Sequence, residues 1–246
     1  MFTRSTTAIA ALLAAAAISG PVGATTTLVF QQGLNGYAGT TDTTLSSSDP
    51  SGIYGADDAV SIDASDGGSP NHVLLRFADL FGAGPGQIGA LDNIVSAKLT
   101  VVITSVGSGI MFHDMLRDWN EATATWNSLG NGIQADGVEA TAVPFASIGA
   151  NNGQANIAGP LLEVDVTASL VAAKAESLPG YGWALLPFMP SGTNGVDFTS
   201  SEGFLMADRP LLSVEVAPVP EPETYALMFA GLGLIGWASR RAKVAK

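Results

Sequence analysis

The chain contains no cysteine. That excludes disulfide staples, thiol catalysis and any Cys-ligated zinc or iron–sulfur centre. An exported domain of this length can do without staples, because on the order of two-thirds of its surface is buried on folding. Histidine is scarce too: His72 and His113 are the only two, and they stand far apart in sequence. A histidine metal site would have to be assembled by folding from other ligands as well, so the expectation is two core or surface histidines. Basic residues are few, ten Lys and Arg against 22 Asp and Glu. Five of those ten (Arg4, Arg240, Arg241, Lys243, Lys246) lie at the two ends, where Glu221 and Glu223 are the only acids. Residues 25–217 are therefore strongly acidic. No nucleic-acid partner is expected, since phosphate neutralisation needs Lys and Arg clusters, nor docking on an anionic membrane face. Such a charge suits solubility, divalent cations, or neutral and cationic partners. Also absent are a Gly-x-Ser-x-Gly elbow, a His-Glu-x-x-His pair and a Walker loop.

What is present begins with two address-like ends. Residues 1–24 have the form of a signal peptide: Arg4 supplies a positive start, Ala8 to Ile18 is apolar and uncharged, and Val22-Gly23-Ala24 places small residues before the cut. Cleavage is expected between Ala24 and Thr25. At the other end, Val219-Pro220-Glu221-Pro222 is stiff and extended, because each proline fixes its own φ and restrains its predecessor. Tyr225 to Ala238 is an uncharged apolar run closed by Arg240, Arg241, Lys243 and Lys246. The run is shorter than the ~20 residues of a full helical span, but Tyr225, Trp237 and the basic cluster have the arrangement of a membrane stop with a cytoplasmic C-terminus.

The middle has the pattern of an all-β domain. Leu99, Val101 and Ile103 alternate with Lys98, Thr100 and Thr104. Leu162, Val164 and Val166 alternate with Glu163 and Asp165, and Leu212, Val214 and Val216 with Ser213 and Glu215. Each is the period-2 mark of a half-buried strand. Leu74-Leu75-Arg76-Phe77 and Trp183-Ala184-Leu185-Leu186 predict more fully buried strands. Turn chemistry separates the runs, as in Gly84-Pro85-Gly86 and Gly130-Asn131-Gly132. One short helix is expected at Ala168 to Glu176, with Thr167 as N-cap and Pro179-Gly180 beyond its end. The expected fold is an all-β, two-sheet antiparallel β-sandwich, jelly-roll-like, with one short helix. The chain then divides into 1–24 (signal peptide), 25–217 (β-sandwich) and 218–246 (sorting tail with a hydrophobic transmembrane helix).

Two resemblances follow from these residues. Pro220-Glu221-Pro222, a short hydrophobic helix and Arg240-Arg241, in that order, resemble the PEP-CTERM sorting signal. That resemblance implies an exosortase-type membrane protease as partner, passage through the inner membrane with transient anchoring by the C-terminal helix, and a final place at the cell surface or in an exopolysaccharide matrix. Pro220, Glu221, Pro222, Arg240 and Arg241 would then be processing residues. In the middle, Leu75-Arg76-Phe77-Ala78-Asp79-Leu80, Ala97-Lys98-Leu99, Trp119-Asn120-Glu121 with Thr123 and Thr125-Trp126-Asn127, Asp165-Val166-Thr167, Gly182-Trp183-Ala184-Leu185, Phe198 to Glu202 and Arg209 to Val214 resemble the DNRLRE domain. The family's Arg-Phe-Asp-Leu is here one residue longer. This resemblance implies a β-sandwich grouped with carbohydrate-binding modules and non-catalytic attachment to polysaccharide, often an acidic one.

Candidate sites are sparse. Tyr37 and Tyr54, in Gly-rich loops, are the aromatics placed for exposure and for stacking on sugar, whereas Trp119, Trp126 and Trp183 are expected mostly in the core. Arg76 would suit an acidic sugar, but within Leu75-Arg76-Phe77 a buried ion pair is expected. Asp57, Asp58, Asp63 and Asp66, the last before Gly67-Gly68, form an acidic region that could hold a structural calcium, although the spacing is not that of an EF-hand; no other cofactor is expected. Glycosidases need paired carboxylates, and Asp57-Asp58, Asp114 with Asp118, and Glu163 with Asp165 are the pairs available, but so acidic a domain generates such pairs by chance. The expectation is a non-enzymatic surface or matrix protein that binds polysaccharide through a shallow face. The alternatives are a structural or adhesive biofilm-matrix protein with protein or self partners, and a polysaccharide hydrolase.

Overall fold

The structure, a computed structural model, describes residues 24–64, 69–149, 157–188, 195–218 and 229–235. Thr25–Val219 forms one compact unit. Its strands are β1 (Thr26–Gln31), β2 (Thr40–Ser46), β3 (Ala59–Ile62), β4 (Asn71–Phe77), β5 (Asp92–Ser105), β6 (Ile110–Asp114), β7 (Ala146–Ile148), β8 (Leu161–Asp165), β9 (Trp183–Pro187), β10 (Val196–Thr199) and β11 (Leu211–Pro218). One α-helix, α1 (Thr167–Lys174), lies between β8 and β9. The strands form two sheets, β1-β11-β5-β10-β3 with β8 also on β5, and β2-β4-β9-β6-β7. The named pairs are antiparallel. The fold is the expected all-β sandwich.

The period-2 runs place their apolar residues inward. Leu99, Val101, Leu162, Val164, Leu212 and Val214 of the first sheet meet Val73, Leu75, Ile110, Phe112, Trp183 and Leu185 of the second in one buried cluster. In β5 the alternation slips: Ile94 and Ala97 are buried while Val95 is exposed. Opposite it, Glu215 pairs with Ser96 but Val216 pairs with Ile94, so Val95 has no partner in the ladder. This bulge inserts one residue and resets which face points inward.

The second sheet is buried on both faces, which explains the unbroken apolar runs of β4 and β9. Leu74, Ala184 and Leu186 point away from the sandwich interior and pack under Met115, Trp119, Leu129 and Ile133 of the long β6–β7 connection. Each such buried Leu or Ile contributes about 1.5–3 kcal/mol of transfer free energy. The connection is thus a third layer.

The helix begins one residue before the expected start and ends earlier. Thr167 is its first residue and Val166 occupies the cap position without a side-chain bond. The Thr167 hydroxyl instead accepts the Ala97 N–H at 2.8 Å, where the β5–β8 ladder has ended. Asp165 Oδ1 takes over at the helix start, accepting the Thr167 N–H at 2.9 Å.

The expected leader (residues 1–23), Pro220, Glu221, Pro222, Arg240, Arg241 and Asp66 lie outside the described residues. Residues 229–235 are helical, with Phe229, Leu234 and Ile235 exposed. Among the described residues no helix is long and apolar enough to cross a membrane.

Candidate ligand-binding site

The ends of three neighbouring strands build a cavity. Leu75 of β4 pairs with Trp183 of β9, and Trp183 pairs with Asp114 of β6, so one row across the second sheet fixes these ends together. α1 and the loops after β4 and before β9 close over the row. The result is a cavity of about 370 Å³ lined by Arg76, Asp114, Asp118, Ser169, Tyr181 and Trp183 among others. Its volume lies at the lower end of the range of ligand clefts, about 300–1,000 Å³.

Its inner end is a polar chain within an apolar surround. Ile110 and Phe112 of β6 point into the core, and Asp114 continues that face to the strand end. There the carboxylate accepts a hydrogen bond from the Ser169 hydroxyl of α1. Ser169 Oγ in turn accepts the Trp183 indole N–H at 2.8 Å. Burial pushes the Asp114 carboxyl above its ordinary range, with the Ser169 bond and the nearby His113 opposing the rise. Gly182 lets the chain turn into β9: its φ is +83°, and an added Cβ would lie 2.4 Å from the Leu75 carbonyl oxygen.

Arg76 stands at the mouth. Its guanidinium bonds Asp118 at 2.9 Å and lies 5.0 Å from the centroid of the Trp119 ring. The ion pair exists as expected but is not buried, because the Asp118 side chain is 66 % exposed. Such a pair contributes little to stability. Asp114 and Asp118 both line the cavity yet are engaged differently, the first by a serine and the second by an arginine.

The other candidates fall elsewhere. Tyr37 is half-buried, not exposed: it packs edge-on against Phe30, centroids 5.4 Å apart, and its hydroxyl donates to the Ala78 carbonyl at 2.8 Å. Tyr54 is also half-buried and donates to Asp49 at 3.2 Å. Asp57 and Asp58 are exposed in a turn, and Asp63 is half-buried at a β-bridge to Asn71. Among the described residues no group of three His, Cys, Asp or Glu side chains is placed to hold a metal ion. Glu163 is exposed and faces Lys98 at 3.2 Å. Trp119 and Trp183 are core, whereas Trp126 is half-buried, its ring 4.9 Å from that of His72. Both histidines are buried. His72 Nδ1 accepts the Ile133 N–H at 3.1 Å, and burial lowers its pKa to about 4. His113 Nδ1 lies 2.7 Å from the Thr141 carbonyl oxygen.

A second polar cluster has no counterpart among the sequence candidates. Asp42 of β2 is 1 % exposed. Its carboxylate accepts the Ser201 N–H at 2.7 Å, and its own N–H donates to Glu121 at 2.7 Å. Glu202 is bonded by the Ser201 hydroxyl. Burial, then the charges of Glu202 and Glu121, push the Asp42 carboxyl up to about 7, against the bonds from Ser201. Glu121 and Glu202 are raised too, chiefly by burial. Asp42 is too enclosed to meet a ligand. The cluster ties β2 to the β6–β7 connection and to the turn after β10.

Residues 218–242 match the PEP-CTERM protein-sorting motif. The match indicates a chain that is exported and processed by exosortase at the membrane. Among curated proteins none matches the chain.

Proposed function

We propose that the sandwich is a non-catalytic polysaccharide-binding domain, delivered by its sorting tail to the cell surface or the exopolysaccharide matrix. The observation that carries this reading is the cavity beside α1. It combines aromatic and aliphatic walls with a few convergent polar groups, the mixture that holds hydroxyl-rich ligands. The resemblance to the DNRLRE domain supports the same reading. Several of its sequence blocks contribute to this region: Arg76 at the mouth, Trp183 at the inner end, and Trp119 beneath the Arg76 guanidinium. Asp114 and Asp118 are occupied by Ser169 and Arg76, which favours binding over hydrolysis.

The test is retention of the full chain, in mild detergent, on immobilised exopolymer from the producing organism. Saturable retention competed by the free polymer is expected; passage without retardation would contradict the proposal. An adhesive role with protein or self partners is the rival. Phe204, 91 % exposed, with Leu205 and Met206 beside it after β10, favours that rival. Self-association in size-exclusion chromatography would support it.

A further inference from the structure

Asp79 stands between the cavity and a second concavity. On its far side a groove of about 780 Å³ follows β1 and is lined by Asn35, Tyr37, Pro85 and Gln87 as well as Asp79 itself. β1 is an edge strand of its sheet, paired with β11. The two hollows share a wall. Ala78 lines the cavity and Tyr37 the groove, and the Tyr37 hydroxyl donates to the Ala78 carbonyl at 2.8 Å. Gln87 secures the other side, donating to the Asp79 carbonyl at 2.9 Å and accepting the Gly84 N–H at 2.9 Å.

The backbone at this wall is unusual. Asp79 has φ 55°, a left-handed conformation that non-glycine residues seldom adopt but that Asp and Asn tolerate best. Asp79 lies in the segment Arg76-Phe77-Ala78-Asp79-Leu80, just after the end of β4. Flanking bonds hold it: Ala78 N–H to the Gly39 carbonyl at 2.7 Å, and Ile88 N–H to the Leu80 carbonyl at 2.8 Å. Glycine would occupy the position without strain, yet an exposed carboxylate stands there. That carboxylate is near Tyr37, whose hydroxyl is pushed above its usual range by burial and then by the Asp79 charge.

Charge decides what the two hollows can hold. Among the described residues lining the groove, Asp79 is the only charged side chain. The cavity adds Asp114 and Asp118, and among the described residues lining it the one cation is Arg76, which Asp118 already engages. An anionic chain would meet excess negative charge in the cavity and at the Asp79 wall, and no compensating cation among the described residues lining the groove. We propose that the cavity and the groove form one continuous seat for an uncharged polysaccharide, which crosses the wall at Asp79 and donates sugar hydroxyls to its carboxylate. The cavity takes a chain end or a branch, and the groove takes the units that follow. This rests on the polysaccharide-binding reading above and departs from the acidic ligand that the family resemblance implies.

The test is calorimetric titration of the full chain in mild detergent with neutral glucan, mannan and galactan oligosaccharides, from disaccharide to octasaccharide, and with a uronate series. A neutral series should bind with affinity that rises with length, and the uronates should bind more weakly. Asp79→Asn removes the charge while keeping a residue that tolerates φ 55°. It should melt with the wild type and weaken binding about tenfold or more, the scale of a hydrogen bond to a charged group. Asp79→Gly should keep the fold and weaken binding likewise. Unchanged affinity in both variants would overturn the seat while leaving polysaccharide binding intact. A preference for uronates would overturn the charge argument, and affinity that is flat with length would overturn the two-part path. Binding of no glycan would overturn this seat and the polysaccharide reading together.

Discussion

Replacing Asp42 by asparagine should change how stability depends on pH. The Asp42 carboxyl is pushed from 3.8 up to about 7 by its enclosure in the fold. Between those values the folded chain keeps a proton that the unfolded chain has released, so stability is full below the lower value and falls as pH rises through about 7. Roughly three pH units at about 1.4 kcal/mol each give a total of about 4 kcal/mol. The neighbouring charges are Glu121 and Glu202, with Arg76 opposing the rise at the first and Arg209 at the second. His72 acts in the opposite sense. Its folded pKa is about 4 against 6.5, so stability is lost as pH falls through that interval. The wild-type curve mixes both effects, but the difference between wild type and Asp42→Asn cancels His72. Asparagine retains an oxygen for the Ser201 N–H and does not titrate. Urea denaturation followed by tryptophan fluorescence at pH 4 and pH 8 would measure the difference. The variant should gain about 4 kcal/mol relative to wild type between the two, a shift of more than ~1 M in midpoint for urea slopes of about 1–3 kcal/mol per M. A difference independent of pH would refute the reasoning.

Other perturbations have expected outcomes of their own. Gly182→Ala puts a Cβ 2.4 Å from the Leu75 carbonyl oxygen at φ +83° and should cost about 3 kcal/mol or more, read as a lowered melting temperature. Ser169→Ala leaves the Asp114 carboxylate and the Trp183 indole N–H without their shared partner. A loss of about 1–3 kcal/mol is expected in denaturant titration, and a loss below a few tenths would show that water replaces the hydroxyl. Phe198→Ala empties a site at 0 % exposure and should cost about 3–5 kcal/mol; Phe204→Ala should leave the melting temperature unchanged.

The strands were legible where one face alone is buried. Leu99, Val101 and Ile103, or Leu212, Val214 and Val216, alternate because their other side meets solvent. β4 and β9 were legible as buried runs, but nothing in their composition says that the β6–β7 connection covers them. The bulge at Val95 left no local mark, because a bulge is defined by the partner strand. Thr167 has the chemistry of a cap, and only the nearby Ala97 N–H diverts it. The cavity was half legible: Arg76, Asp118 and Trp183 stood out, but their common row depends on β4–β9–β6 register. The Asp42 cluster was not legible, since Asp42 bonds residues 79 and 159 positions away. Tyr37 shows the converse: a Gly-rich setting suggests exposure, and a single carbonyl, that of Ala78, draws the ring inward.

Polysaccharide binding is tested most directly by calorimetric titration of the full chain with exopolymer purified from its own producer. Saturable binding that Asp79→Asn weakens without lowering the melting temperature is the expected result. The absence of measurable heat with that polymer and with a panel of neutral and uronate glycans would contradict a polysaccharide-binding role.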